Sequence, residues 1–482
     1  MLFNSFEFIF VFLPVVFGVY FLMNKLKWIT AAKIWLVISS LTFYGWWNVV
    51  YLPLLLTSLL FNYRIGSLLI ERKEGRNRKA VLTIGIIFNV SLLGFYKYYD
   101  FFISNANELL RTDIPLLHLI LPLGISFITF QKIAYLVDAY KREVQEQNIL
   151  DFSFFVTFFP QLIAGPIVHH KEIMPQFSQL KNKVINFRNI ATGLFVFSLG
   201  LFKKVAIADT FANWATSGFD HTKSLTFLEA WGVSLSYTFQ LYFDFSGYCD
   251  MAIGAALLFN IKLPVNFNSP YKALNIQDFW RRWHITLGRF LTQYIYIPLG
   301  GSRKGATRTY LNLMIVFLIS GLWHGAGWTF LFWGALHGTA MVINRFWQTF
   351  NIKMNRFMAW FITFNFVNMA WIFFRAQSWG DAIKVLKGML GMNGFAVPAV
   401  VASYITILAD YTGEFFIVST KELAGISLMI VMFLFVVIAA RNSTEIQRTF
   451  KPSMFYAIVF ILLTAYSLMS LQKVSEFLYF NF

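Results

Sequence analysis

Residues Thr309–Asn344 read TYLNLMIVFLISGLWHGAGWTFLFWGALHGTAMVIN, without a single Lys, Arg, Asp or Glu. A membrane-crossing helix needs about 20 mostly apolar residues. This run is too long for one span and predicts a helical hairpin or a broken pair. Ile34–Tyr63 is a second over-long run, and shorter ones include Phe8–Asn24, Ala80–Tyr96, Phe357–Phe374, Gly388–Ala409, Leu423–Ala440 and Pro452–Gln472. Composition agrees: of 482 residues, 57% are hydrophobic, 19% aromatic and only 13% charged. Soluble globular chains carry about 25% charged residues, so this chain could not cover its surface in water. The expected architecture is all-α: a polytopic membrane helical bundle of about 11–13 membrane segments, some re-entrant or interfacial, around a cavity or tunnel. It is read as one integral membrane domain over residues 1–482, with no soluble domain and no repeat of fixed period. Cys249 is the only cysteine, which excludes a disulfide scaffold.

Lys and Arg number 40 against 23 Asp and Glu, a net charge of +17. These residues sit mainly between apolar runs, where they set topology and meet anionic headgroups, so nucleic acid is not the expected partner. Lys25, Lys27 and Lys33 place the loop after the first run in the cytoplasm and the N-terminus outside. That first run has neither a basic leader nor a small-residue cleavage site and is expected to remain as an anchor. Ile34–Ile70 predicts a hairpin turning near Asn48–Pro53. Phe152–Val168 has basic residues on both flanks and is interrupted by Pro160, Gly165 and Pro166, which suits a re-entrant element. Asp244–Arg308 is the most polar long stretch, read as a cytoplasm-facing interfacial region, followed by a His-bearing core segment over residues 309–347.

Seven histidines are present: His118, His169, His170, His221, His284, His324 and His337. The first four end apolar runs, where a headgroup-boundary position accounts for them. No HExxH or zinc-ligand spacing occurs, so no metal is expected. His324 differs, because it lies deep in the uncharged run, and an ionisable group at membrane depth is a functional candidate by default. Gly321, Gly325, Ala326 and Gly327 leave room for close approach, Trp323 and Trp328 can wall a cavity, and a neutral imidazole there can act as general base. His337 follows with Gly334 and Gly338, a GxxxG pair suited to helix packing, and is read as structural.

In NIQDFWRRWHITLGRF (Asn275–Phe290), a helical wheel places Phe279, Trp280, Trp283 and Leu287 on one arc with His284 at its edge. This predicts a continuous amphipathic helix in the interface, with His284 looking inward. YIPLGGSRKGATR is Gly-rich and basic but fails the P-loop pattern. Arg281, Arg303 and Lys304 are weak candidates for the phosphates of a coenzyme, with lipid headgroups the competing partner. Asp244 and Asp250 are expected to pair with the basic residues that follow them, a proton relay being the alternative.

FFPQLIAGPIVHHKEIMPQF, QLYFDFSGYCDMAIG, NFNSPYKALNIQDFWRRWHITLGRFLTQYIYIPLGG and GLWHGAGWTFLFWGALHG, in this order, resemble the membrane-bound O-acyltransferase (MBOAT) family. The resemblance is to the bacterial branch that holds alginate and peptidoglycan O-acetyltransferases, and it weakens after about Arg375. It implies a tunnel with a cytoplasmic thioester donor, acetyl-CoA, at one mouth and a hydroxyl acceptor at the other. It also implies His324 as the catalytic base, with His284 as a second catalytic histidine, and no bound cofactor. The implied acceptor is an extracytoplasmic polysaccharide, an alginate-like exopolysaccharide first and peptidoglycan second. An exported SGNH-type acetyltransferase is the implied partner, and a bacterial cytoplasmic (inner) membrane the location. A proton-coupled transporter and a structural scaffold are the readings from other classes.

Overall fold

The computed structural model describes residues 1–71, 75–144, 148–397, 420–471 and 477–478. Its helices are α1 Leu13–Lys25, α2 Ile29–Gly45, α3 Leu52–Glu71, α4 Arg76–Leu93, α5 Tyr99–Leu110, α6 Ile125–Tyr140, α7 Ile149–Thr157, α8 Phe159–Leu162 and α9 His170–Ser178. They continue with α10 Phe187–Phe202, α11 Asp209–Thr216, α12 Phe227–Leu258, α13 Ile276–Arg282, α14 Ile285–Leu291, α15 Gly305–His324 and α16 Trp328–Gln348. The last are α17 Arg356–Arg375, α18 Trp379–Met389, α19 Thr420–Ala439, α20 Ser443–Thr449 and α21 Met454–Ser470. Among the described residues there is no β-strand.

Among the described residues, seven helical stretches are long and apolar enough to cross a membrane: Glu7–Lys25, Val49–Glu71, Asn77–Leu110, Phe187–His221, Gly305–His324, Arg356–Arg375 and Glu422–Ala439. Two shorter apolar helices, Ile29–Gly45 and Met454–Ser470, join them. The expected total of about 11–13 segments also includes re-entrant and interfacial elements, among them Phe152–Val168. Most of Gly388–Ala409 lies outside the described residues. The first hairpin turns as expected, between α2 and α3, with Asn48 capping the turn. Phe152–Val168 breaks into α7, α8 and a non-helical stretch, buried except at Ser153. At 1.5 Å per residue neither piece is long enough to cross.

The centre of the bundle is α12, 32 residues long and buried along nearly its whole length. A helix apolar on all sides is a core helix. It packs against α10 through two reciprocal glycine pairs. A Cβ on Gly193 would come within 2.8 Å of the Gly254 carbonyl oxygen, and one on Gly200 within 2.5 Å of the Gly247 oxygen. Only glycine permits backbones this close. The opening part of the stretch expected to be interfacial, Asp244–Leu258, is therefore core.

The two aspartates of that segment also find other partners than expected. Asp250 pairs with Lys203 at 2.7 Å, and Asp244 with Lys204 at 2.7 Å. Both lysines precede α12 and sit on a π-helical turn, Lys203–Ala208, that continues α10. Ser443 of α20 donates to Asp250 at 2.8 Å, tying the C-terminal helices to the core. Buried charges need such partners, since ion solvation is lost.

The ends of α12 define the two ends of the bundle. At its C-terminal end Asn260 meets the loop before α10, donating to the Asn182 and Val184 carbonyls. At its N-terminal end Phe227 meets Gly394, and nearby Lys384 donates to the Phe219 and Thr222 carbonyls. The first end carries Lys171, Lys181, Lys183 and Lys262.

Asp250→Ala, which strands Lys203, is expected to lower stability by roughly 3–5 kcal/mol. The double variant Lys203→Met/Asp250→Leu should recover most of it. Thermal unfolding of purified protein in one detergent checks both.

Candidate active site

The over-long run folds as α15 and α16 with a break at His324–Gly327. Gly325 and Gly327 are extended there, and a Cβ on Gly325 would strike the Phe330 ring at 2.1 Å. The two helices then pack along glycine. A Cβ on Gly321 would meet the Phe330 carbonyl oxygen at 2.3 Å, and one on Gly334 the Phe317 oxygen at 2.4 Å. His324 is thus the last residue of α15, not a mid-helix residue. It is 3% exposed, with Trp323, Trp333 and Phe374 rings 4.8–5.3 Å from its own.

His284 occupies a second break. The wheel assumed one continuous helix, but α13 stops at Arg282 and α14 begins at Ile285, with His284 left-handed between them (φ 44°, ψ 52°). Such a backbone is strained for a non-glycine residue and persists only when its surroundings impose it. Asn266, fully buried, imposes it here. Its carbonyl accepts from Ile285 N at 3.0 Å, and its side-chain oxygen accepts from Thr286 N at 3.1 Å and Thr286 Oγ1 at 2.7 Å. Thr286 Oγ1 in turn accepts from Ile167 N at 3.0 Å, so the broken α8–α9 segment helps hold the kink. His284 is 1% exposed, and its ring centroid lies 6.5 Å from that of His324. The structure brings these two candidates together.

Two cavities approach the pair from opposite ends. A 710 Å³ cavity reaches from the basic end to His284 and Ser320, one turn before His324. Its wall carries Arg281, Arg289 and Arg345. Arg289 is held by Glu172 in a two-pronged pair at 2.5 and 3.0 Å, whereas Arg281 and Arg345 have no ion-pair partner among the described residues. On the other side a 290 Å³ cavity is lined by Lys97, Asp100, Gly325 and Ala326. Among the described residues no group of three or more His, Cys, Asp or Glu side chains is gathered that could hold a metal.

The family described as MBOAT, membrane-bound O-acyltransferase, matches residues 31–378. This chain belongs to that family. Its relatives include a peptidoglycan O-acetyltransferase of Helicobacter pylori, 48% identical with 100% of this chain and 98% of the relative aligned. A probable alginate O-acetylase of Pseudomonas aeruginosa is 40% identical over 82% of this chain and 75% of its own. A teichoic acid D-alanyltransferase of Bacillus subtilis is 28% identical over 53% and 69%. The chain is thus a multi-pass membrane O-acyltransferase, and the transporter and scaffold readings are set aside.

Other sequence candidates separate in this O-acyltransferase. Arg281 lines the larger cavity, but Arg303 and Lys304 stand exposed on the loop before α15 and do not. Arg345, on α16, also lines it. His337 is fully buried and accepts from Trp280 Nε1 at 3.3 Å, a packing role. His169 is not at a free boundary: it is 2% exposed, with its Nδ1 3.0 Å from Tyr294 Oη and 3.6 Å from Asp138. Asn266, Ser320 and Arg345 carried no signal that a single sequence makes visible, because each gains its meaning from a remote element.

Asn266→Ala is expected to cut acyl transfer roughly 100-fold by releasing the His284 kink. Turnover measured on folded protein checks this, and wild-type turnover would show that the kink holds without it.

Proposed function

We propose that the chain moves an acetyl group from a thioester donor in the 710 Å³ cavity to a hydroxyl presented through the 290 Å³ cavity, at His324 and His284. The observation that carries this reading is the placement of the two histidines, 6.5 Å apart, between cavities from opposite ends of the bundle. At that separation one reacting carbonyl can touch both rings.

In the proposed step, His324 takes the proton of the acceptor hydroxyl as its oxygen attacks the thioester carbonyl. A tetrahedral oxyanion forms, and the N–H of a neutral His284 stabilises it. The carbon–sulfur bond then breaks, and the leaving thiolate recovers the proton from His324. Acetyl-CoA fits as donor because Arg281 and Arg345, which have no ion-pair partner among the described residues, offer guanidinium groups to its phosphates. Positive residues at that end support a cytoplasmic donor side and a cytoplasmic (inner) membrane location.

Both acetyltransferase relatives are named for polysaccharides, which supports an extracytoplasmic glycan as the final acceptor. Peptidoglycan is the first to test, since that relative aligns over the whole chain. We infer an exported SGNH-type acetyltransferase as the immediate recipient, one side-chain hydroxyl of which the 290 Å³ cavity has room for.

Full-length protein in lipid, given labelled acetyl-CoA with peptidoglycan, alginate or an exported partner, tests the reading. His324→Ala should lose at least roughly 100-fold of CoA release while remaining folded. Normal turnover by that variant would sink the proposal. Arg281→Ala/Arg345→Ala should raise the donor KM roughly tenfold or more with kcat little changed.

A further inference from the structure

The last four carbonyls of a helix have no partner within it, and inside a membrane bundle each needs a donor from elsewhere. At the end of α15 every one is accounted for. Gly321 O accepts from Gly325 N at 3.3 Å. The other three are met by two neighbouring residues of another element. Tyr98 Oη donates to Leu322 O at 2.6 Å, and Lys97 Nζ donates to Trp323 O at 2.5 Å and His324 O at 3.1 Å.

Both residues belong to a π-helical turn, Gly94–Tyr98, joining α4 to α5. A π turn inserts an extra residue into the helical ladder and recurs at functional sites. Here it lets consecutive side chains reach the same helix end. Lys97 uses its third N–H on Ser126 Oγ at 3.3 Å, at the start of α6. It forms no ion pair among the described residues. Nearby Asp100 is occupied by the backbone N–H groups of Leu117 and His118, at 2.8 and 2.9 Å. The charge opposite the ammonium is therefore the negative end of the α15 dipole.

We propose that Lys97 and Tyr98 are positioning residues for acyl transfer: by holding the last turn of α15, they set the height and rotation of His324 against His284 and the reacting carbonyl. This rests on His324 being the base. Neither residue lines the 710 Å³ cavity, so donor binding should be independent of them. Lys97 lines the 290 Å³ cavity, so kcat is read at saturating acceptor, and Tyr98, which does not line it, is the control.

The test uses full-length protein in lipid, labelled acetyl-CoA and the acceptor found active, comparing Lys97→Met, Lys97→Arg and Tyr98→Phe with wild type and His324→Ala. Lys97→Met should lower kcat roughly 100-fold at unchanged donor KM. Lys97→Arg should recover part of that loss, because a guanidinium can still donate to two carbonyls. Tyr98→Phe, which removes one hydroxyl, should lower kcat roughly 5- to 10-fold. Wild-type kcat in folded Lys97→Met and Tyr98→Phe, with His324→Ala inactive, overturns this proposal alone. So does a parallel loss of kcat and donor affinity, or an Arg variant no better than Met. Should Lys97→Met fail to fold, Tyr98→Phe decides. Normal turnover in His324→Ala removes the underlying reading, and this proposal with it.

Discussion

A helix that stops inside a membrane bundle exposes backbone groups that water cannot reach, and each must find a partner in protein. Both candidate histidines sit at such stops. At His324 the freed carbonyls go to Lys97 and Tyr98; at His284 the freed amides go to Asn266. Satisfying the backbone and aiming the imidazoles are one structural problem with one solution. The remainder of the bundle holds the elements that supply these donors and acceptors.

That support is rigid for identifiable reasons. Glycine pairs bring α10 onto α12 and α15 onto α16 at backbone contact, and such interfaces tolerate no sliding without a clash. The Lys203–Asp250 and Lys204–Asp244 pairs lock the register of α10 against α12. Aromatic rings then fill the space around the histidines, so that His324 sees Trp323, Trp333 and Phe374 rather than solvent. A site closed in this way keeps bulk water from the two imidazoles while leaving one cavity toward each end of the bundle.

Much of this was legible in one sequence. The uncharged run Thr309–Asn344 announced a broken pair, and membrane depth singled out His324. The wheel over Asn275–Phe290 failed for a physical reason: neither Gly nor Pro marks positions 283–284, and the left-handed break is imposed by Asn266 from another segment. The aspartates of α12 do not pair with the basic residues that follow them, because their partners come from the preceding helix, where a π turn presents two adjacent lysines to one neighbour. Arg303 and Lys304 look suited to phosphate by composition, yet the arginines on the cavity wall come from α13, α14 and α16 instead.

Sequence by itself determined the class of solvent this chain folds in, its helical character and the family that its ordered motifs resemble, because those follow from apolar length, charge content and local pattern. Tertiary structure alone decided that His284 and His324 face each other, that arginines from α13 and α16 share one cavity, and that Lys97 and Tyr98 complete α15. Each of these depends on where remote segments cross. A backbone group freed by a helix break carries no local mark of the partner that will satisfy it.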